Sequence, residues 1–539
     1  MKKLLTFCAF LYAISIVKSQ WSSNLNENLL TANPGTGGAS FSARMSDGKT
    51  YIGFWKKVAA PVNFELRLQI LDQNGFQQLG SDGILLSNQI AMGSYTYVER
   101  TTVDSSDNLY IGVTGTGTGT PGYVFKVTPQ GTSAWPNGIN LGEGYLPTIL
   151  PLSNGDVVVS YWPSTQKYTK VQRFNPAGQP VWASPVQIMS DDSTKNTVPA
   201  DLFELPNNEF EVIFSKVMTG TNSYLFAQKL NLNGGIVWSA PVQIATKTTS
   251  WNIKYQGVVD GNVLYYGFSS GQGGRFDGYL QRVNLDGTLP WGAAGVDFDT
   301  NQTYYEKDMK IAFTPGSPYI WSIANYSDSA QGQNGEFVQK FDKNTGAKLF
   351  TNNAKQVFPV DTNSIFHTGS LHLLDDKPFF VVQKKIGTSS LNISLNAVLL
   401  DNNGDFAWSQ NYMPMATFAA AKSYITSLKP INGQSVLVFQ EQKTTDSNPV
   451  VYAQNLVLPT LNVDESVEKQ IFTIYPNPAV DFITIKEIKD QEYNIFNTLG
   501  QIVKSGKIEQ GKIKIQELLK GTYFLKISNK NDGFKFIKK

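Results

Sequence analysis

One unit recurs along most of this chain: an apolar run carrying Gln, a polar turn ending in Gly, and an aromatic residue four positions later. It is clearest as Gln172…Gly178…Trp182, Gln228…Gly234…Trp238 and Gln281…Gly287…Trp291. Weaker copies are Gln69…Gly75…Leu79, Phe125…Gly131…Trp135, Gln339…Gly346…Phe350 and Val398…Gly404…Trp408. The turn glycines fall 56, 47, 56, 53, 59 and 58 residues apart. A fixed period of this length marks a supersecondary element that buries its apolar face only against copies of itself. Between these units lies a hairpin signal, at Asp47-Gly48, Asp107-Asn108, Asn154-Gly155, Asn207-Asn208, Asp260-Gly261, Pro315-Gly316, Asp375-Asp376 and Asn432-Gly433. Most of these pairs combine Asn, Asp and Gly, the residues that tolerate positive φ between two strands.

The hairpins number eight and the complete Gln–Gly–Trp units seven, and the two missing halves sit at opposite ends. Tyr452-Ala-Gln454-Asn-Leu456 matches Phe226-Ala-Gln228-Lys-Leu230 but has no Gly–Trp after it, while Trp21-Ser-Ser stands alone near the start. Placed in phase, the two halves give eight periods of about 55 residues, each with room for four antiparallel strands. We therefore expect an all-β, eight-bladed β-propeller over residues 20–460, its last blade closed by the N-terminal strand. Closure removes the exposed sheet edges that invite aggregation. A string of β-sandwiches fits poorly, since each needs roughly 100 residues.

The Gly-x-x-x-Trp spacing resembles the docking motif of eight-bladed quinoprotein dehydrogenases and related propeller scaffold proteins. The resemblance implies a tryptophan that packs between blades, and it supports architecture only. The chain lacks an adjacent cysteine pair, and no quinone or calcium ligands are assigned. No cofactor is expected.

Charge separates the chain into parts. The net charge of +2 is the sum of +6 in residues 469–539 (13 Lys against 7 acidic), +3 in residues 1–19, and −7 in the remainder. All ten tryptophans precede residue 409. This balance gives no reason to expect a nucleic-acid partner. Two histidines and one cysteine are too few for a His/Cys metal centre or a cysteine nucleophile. Residues 1–19, with Lys2 and Lys3 before an apolar run from Leu4 to Val17, read as a signal peptide cleaved before Gln20. No other stretch is long and apolar enough for a membrane helix. Residues 461–470 read as a linker.

Residues 471–539 alternate short apolar runs with turns and predict a small β-sandwich of about seven strands. The run Tyr475-Pro476-Asn477-Pro478-Ala479 with Asp481, then Asn497-x-x-Gly500, then Gly521-Thr-Tyr523-x-Leu525-Lys526-Ile527 resembles the type A C-terminal sorting domain of the type IX secretion system of Bacteroidetes. The resemblance implies an export address. A translocon and its sortase machinery would be the partners, and the protein would be secreted or held on the outer cell surface.

Function must then lie in the body. The Gly-rich run Thr114–Thr120 precedes a strand rather than a helix, so it offers no helix N-terminus to a phosphate. No spaced acidic loop suggests calcium, and no metal site is assigned. His367 and His372 read as a partly exposed pair rather than shared ligands. In a propeller, blade-to-blade segments and second-to-third strand connections emerge on one face around the central channel. The aromatic residues entering the first strands there, Tyr95, Tyr97, Tyr145, Trp251, Tyr304 and Tyr305, with His367 beside them, form a possible ligand face suited to stacking on sugars or gripping a peptide. No catalytic constellation is legible. The reading is a non-enzymatic, adhesin-like binding protein for a glycan or protein ligand. Its alternatives are a glycan-active hydrolase or lyase, a quinone-dependent oxidoreductase with its site at the channel mouth, or a protein-interaction scaffold.

Overall fold

The computed structural model describes residues 20–539 except 33–35, 60–63, 91–96, 118, 390, 444–448, 459–473, 486–490, 499 and 528–532. The expected signal peptide and linker lie outside the described residues. The chain divides into two compact units, Met1–Leu458 and Pro459–Lys539.

The first unit is built from antiparallel four-stranded meanders in chain order. Blade 1 comprises Thr36–Arg44, Thr50–Lys57, Phe64–Leu71 and Ile84–Ser87. Blade 2 runs from Tyr97–Val103 to Ile139–Glu143, blade 3 from Tyr145–Pro151 to Val186–Ile188, and blade 4 from Thr197–Leu205 to Val242–Gln243. Blade 5 runs from Gln256–Asp260 to Val296–Asp297, and blade 6 from Tyr305–Ala312 to Lys355–Asp361. The last sheet has seven strands because Met413–Ser427 serves two meanders. Its first half pairs with Ile393–Leu399 and its second with Gln434–Gln442. Counted as two, these are blade 7, opening at Phe366–Leu374, and blade 8, whose outer strand is Leu29–Leu30 paired with Val450–Val457.

The core is divided among the seams between blades. Phe41, Leu68 and Leu109 share one cluster across blades 1 and 2, Val158 and Phe210 one across blades 3 and 4, and Leu29, Ile52, Phe54 and Val436 one across blades 8 and 1. A strand covered on both faces has no wet side to alternate with, which is why Leu109–Thr114 is buried at every position.

The repeated residues make the seams. Trp408 apart, the last residue of each unit (Leu79 in the first, an aromatic in the others) lies on the turn glycine of the next blade: a Cβ added at Gly178 would come within 3.1 Å of Trp135, at Gly234 within 3.2 Å of Trp182, and at Gly346 within 3.1 Å of Trp291. The indole N–H donates to a carbonyl of the same turn, Trp135 to Pro176 at 3.1 Å and Trp182 to Leu232 at 3.0 Å. Trp21 does this for blade 1, donating to Gln73 O at 2.8 Å. The Gln amide holds the segment that carries the aromatic: Gln172 Nε2 donates to Trp182 O at 3.1 Å, and Gln454 Nε2 donates to Ser22 O, also at 3.1 Å. The N-terminal segment thus fills in blade 8 the place an internal Gly–Trp turn fills elsewhere.

The second unit packs a three-stranded sheet against a four-stranded one around Ile483, Ile495, Leu525 and Phe536. Gly521–Ile527 alternates from Tyr523 onward, with Tyr523 and Leu525 inward and Lys526 outward. Asn477 binds the motif to the final strand: its Oδ1 accepts from Ile537 N–H at 2.9 Å and its Nδ2 donates to Lys535 O at 3.2 Å. Asp481 O accepts from Ile515 N–H at 2.8 Å, Gly500 closes a turn at φ +77°, and the Tyr523 hydroxyl donates to Leu519 O at 2.9 Å. Pro476 and Pro478 both follow cis peptide bonds. Among the described residues no helix is long and apolar enough to cross a membrane.

Trp408 has no downstream glycine turn to dock on, and its indole N–H has no partner. Trp135→Ala should therefore cost about 3–5 kcal/mol through the cavity and the lost seam contact, and Trp408→Ala less than half of that. Thermal unfolding of the two variants checks this, and equal losses would contradict the docking role.

Candidate functional site

The first strands of successive blades touch one another around the ring, those of blades 8 and 1 included, and among the described residues seven of the eight are interrupted by a register shift. Examples are Val98/Arg100, Tyr145/Thr148, Pro199/Asp201, Glu306/Asp308 and Thr368/His372. A bulge re-aims one side chain and breaks the ladder locally. At Leu146 the backbone goes to φ +55°, its N–H held by Thr114 Oγ1 at 3.0 Å.

On this face three rings from separate segments converge. Tyr145 opens blade 3, Trp162 ends its second strand, and Trp251 lies between blades 4 and 5. Their centroids are 6.1, 6.5 and 6.3 Å apart, with interplanar angles of 67–68°, an edge-to-face trio. Each is half-buried. The Trp162 indole N–H donates to Gln166 O and the Trp251 indole N–H to Gly220 O, both at 3.0 Å. Trp162 is thus fixed by its own loop and Trp251 by the connection between the second and third strands of blade 4. Beside them lies a cavity of about 290 Å³ lined by Arg100, Thr148, Pro199, Trp251, Asn252 and Lys254, among others. Arg100, turned by its bulge, reaches from blade 2 to blade 4, where its Nη2 donates to Ala200 O and lies 3.5 Å from the Asp201 carboxylate. Burial pushes the Asp201 carboxyl up, opposed by the charges of Arg100 and Lys254.

The other expected ligand-face residues are placed elsewhere. Tyr95 and the side chain of Tyr97 lie outside the described residues. Tyr304 packs against Tyr326 and Phe337 at 6.3 and 6.5 Å, wedging blades 5 and 6. Tyr305 lies under the Arg275 guanidinium, 5.5 Å from it, and beside Phe276.

His367 is not a surface residue. It is 4% exposed and sits between two carboxylates, its Nδ1 2.9 Å from Glu336 and its Nε2 3.3 Å from Asp308. Its backbone N–H also donates to Glu336, at 2.7 Å. Burial alone would lower the imidazole pKa, but the Glu336 charge and the bonds to Asp308 and Glu336 outweigh it and raise it to about 9. For Asp308, burial acts upward, yet His367 and Lys310 hold the carboxyl well below the usual range. Blades 6 and 7 are therefore joined through a buried imidazolium. His372 is separate from it and bonds Ser427 O through Nε2 at 2.9 Å.

A second acidic group lies at the seam of blades 5 and 6. Asp297, Asp299 and Glu306 bring one carboxylate oxygen each within 4.8 Å of one another. The Tyr326 hydroxyl donates to Asp299, and Gly278 N–H donates to Glu306 at 2.6 Å. Burial, then the charge and hydrogen bond of the neighbouring Asp299, push the Glu306 carboxyl far above its ordinary range, which favours a protonated Glu306 over a cation held by these three carboxylates. The bulge sends Glu306 and Asp308, two residues apart, to different partners, so they do not form an acid/base pair flanking one substrate.

Sequence reasoning missed Trp162 and Arg100. Trp162 precedes Pro163 in a second-to-third strand connection, on the face already singled out, and that position was the available signal. Nothing in the sequence marks the bulge that turns Arg100.

Residues 473–539 match the family described as the secretion system C-terminal sorting domain. No curated protein matches the chain. Among solved structures, the chain is similar to an ulvan lyase, a polysaccharide lyase bound to -[GlcA(1-4)Rha3S]- (10% identity, 80% of this chain and 99% of that one, TM-score 0.45). It is also similar to the Dos1 propeller (8%, 79% and 95%, 0.43) and to prolyl oligopeptidase B from Galerina marginata (11%, 76% and 56%, 0.43).

The folded pKa of His367, about 9, exceeds its ordinary 6.5. The stabilisation it supplies is therefore complete below pH 6.5 and lost as pH rises through about 9. His367→Gln, which leaves Glu336 buried without its cation, should cost about 3–5 kcal/mol at pH 6. The gap from wild type should narrow towards pH 10 in denaturant titrations at each pH, and a gap independent of pH would refute the buried imidazolium. At the other end of the chain, the matched residues are a type IX sorting domain, which directs the protein to the cell surface or the extracellular space.

Proposed function

We propose that the exported protein is a binding protein whose ligand, a glycan, lies on the ring trio at the channel mouth. The observation that carries this reading is the convergence of Tyr145, Trp162 and Trp251 from three segments beside an open cavity. The two indoles, whose N–H groups are already bonded to backbone carbonyls, offer a ligand an apolar surface. That surface suits the C–H face of a pyranose ring. The neighbouring Asn252 and Lys254 supply the polar groups that orient such a ligand. The binding reading is preferred to a catalytic one because the strongly shifted groups at the inner strands, His367, Asp308 and Glu306, are satisfied by each other and by neighbouring blades.

A glycan array probed with the secreted protein tests this. Wild type should retain a defined set of glycans, and Trp162→Ala/Trp251→Ala should lose it by at least about 100-fold, as expected when two stacking contacts disappear. The double variant should keep the wild-type circular dichroism spectrum. Full retention by that folded variant would exclude the trio, and glycan turnover by wild type would favour the lyase or hydrolase reading.

A further inference from the structure

We propose that Glu143 is the positioning residue of the ring trio, its carboxylate holding the turn that fixes Trp162 in place for the ligand; this deepens the glycan-binding reading above and rests on it. Trp162 ends the second strand of blade 3. The chain then turns through Pro163, Ser164, Thr165 and Gln166, with Gln166 N–H donating to Pro163 O at 2.7 Å. The Trp162 indole N–H is bonded to the last residue of that turn, so the ring keeps its orientation only while the turn keeps its shape. Burial does not hold the turn, because Ser164, Thr165 and Gln166 are all exposed. Exposed chain without a polar restraint samples many backbone states.

The restraint comes from the neighbouring blade. Glu143, the last residue of the fourth strand of blade 2, grips the two central residues of the turn. Its Oε1 accepts from the Ser164 hydroxyl at 2.9 Å and from Thr165 N–H at 2.8 Å, and its Oε2 accepts from the Thr165 hydroxyl at 2.8 Å. Desolvation acts upward on this carboxyl, but the Thr165 and Ser164 bonds and the Lys170 charge hold it below its ordinary range. It is therefore ionised at neutral pH and accepts only. The backbone that carries Glu143 is itself pinned to blade 2. Gly144 N–H donates to Thr120 O at 3.2 Å, and the two segments pass so closely that a Cβ added at Gly122 would lie 2.1 Å from Gly144 O. Tyr145, the first ring of the trio, follows at once. Three consecutive residues thus supply one ring, a fixed crossing between blades, and the acceptor that holds the second ring.

A glycan array and near-ultraviolet circular dichroism of the secreted protein test this with Glu143→Ala, Trp162→Ala and the double variant. In Glu143→Ala the ring must be ordered as the ligand arrives, so retention of the array's glycans should weaken about 3- to 10-fold. Its Tm should stay within about 2 °C of wild type. Because Glu143 acts through the ring, adding its substitution to Trp162→Ala should change retention by less than about 2-fold. The dichroism needs no ligand. The aromatic band that separates wild type from Trp162→Ala should shrink by at least about half in Glu143→Ala, as the edge-to-face geometry is lost. Glu143→Gln, which keeps an acceptor oxygen, should restore part of both signals. Retention unchanged by Glu143→Ala, or weakened equally with and without Trp162, would overturn the proposal, and so would a Glu143→Ala spectrum that coincides with wild type. If wild type retains no glycan, the binding reading fails and the dichroism alone decides the positioning role.

Discussion

Each blade of this protein is held by the blade that follows it. An aromatic side chain lies on a glycine whose positive φ, between +73° and +86°, folds the turn and whose missing Cβ leaves room for the ring. The indole N–H then caps a turn carbonyl. In the middle of the ring the same carbonyl takes a second donor, from the cation that follows the repeated Gln. Leu232 O accepts from Trp182 and from Arg173, the latter at 2.7 Å, and Leu285 O accepts from Trp238 and from Lys229, the latter at 2.8 Å. A carbonyl has two lone pairs, and here both are used across a seam. Gln-Arg and Gln-Lys are thus one device with the Gly–Trp turn, although they lie some ten residues upstream of it.

This device explains why the face carrying the site can be irregular. With docking assigned to the turns between third and fourth strands, the opposite connections are relieved of structural duty. They can lengthen, bulge and carry rings whose N–H groups are tied to connections on the same face. The bulges at Arg100, Leu146 and Asp201 interrupt ladder pairing at positions where the seam cores of blades 2, 3 and 4 remain complete.

The repeat was legible because it is covalent spacing. Gly75 to Gly404, the hairpin turns, and the stray Trp21 that fits the phase of Gln454 can all be found by counting. The sorting domain was legible for the same reason, since its three blocks keep order and distance. The site was only partly so. Tyr145 and Trp251 were visible because a propeller puts blade-to-blade segments on one face, but the same logic offered Tyr304 and Tyr305, which the fold uses as packing. What places Tyr304 in a seam is its packing on Tyr326 and Phe337. That is a contact between residues far apart in the chain and leaves no local mark. His367 fails for a related reason: its burial is decided by Glu336, thirty-one residues upstream in another blade.

The docking device is also unevenly distributed, and the site follows the distribution. Trp135, Trp182, Trp238 and Trp291 give the seams from blade 2 to blade 6 an indole bond each, and Arg173, Lys229 and Arg282 reinforce three of them. Towards closure it thins. Phe350 replaces Trp before blade 7, Trp408 finds no turn, Leu79 stands in blade 1, and blade 8 relies on a two-residue strand with Trp21. Local opening is governed by such differences in contact, and the weakest seams open first. The ring trio and Arg100 draw on blades 2 to 5, where the seams are strongest. A recognition site gains affinity when its groups are held before the ligand arrives. The side chains that must hold one geometry therefore stand on the blades least free to separate, and closure falls to the part of the ring that carries no site.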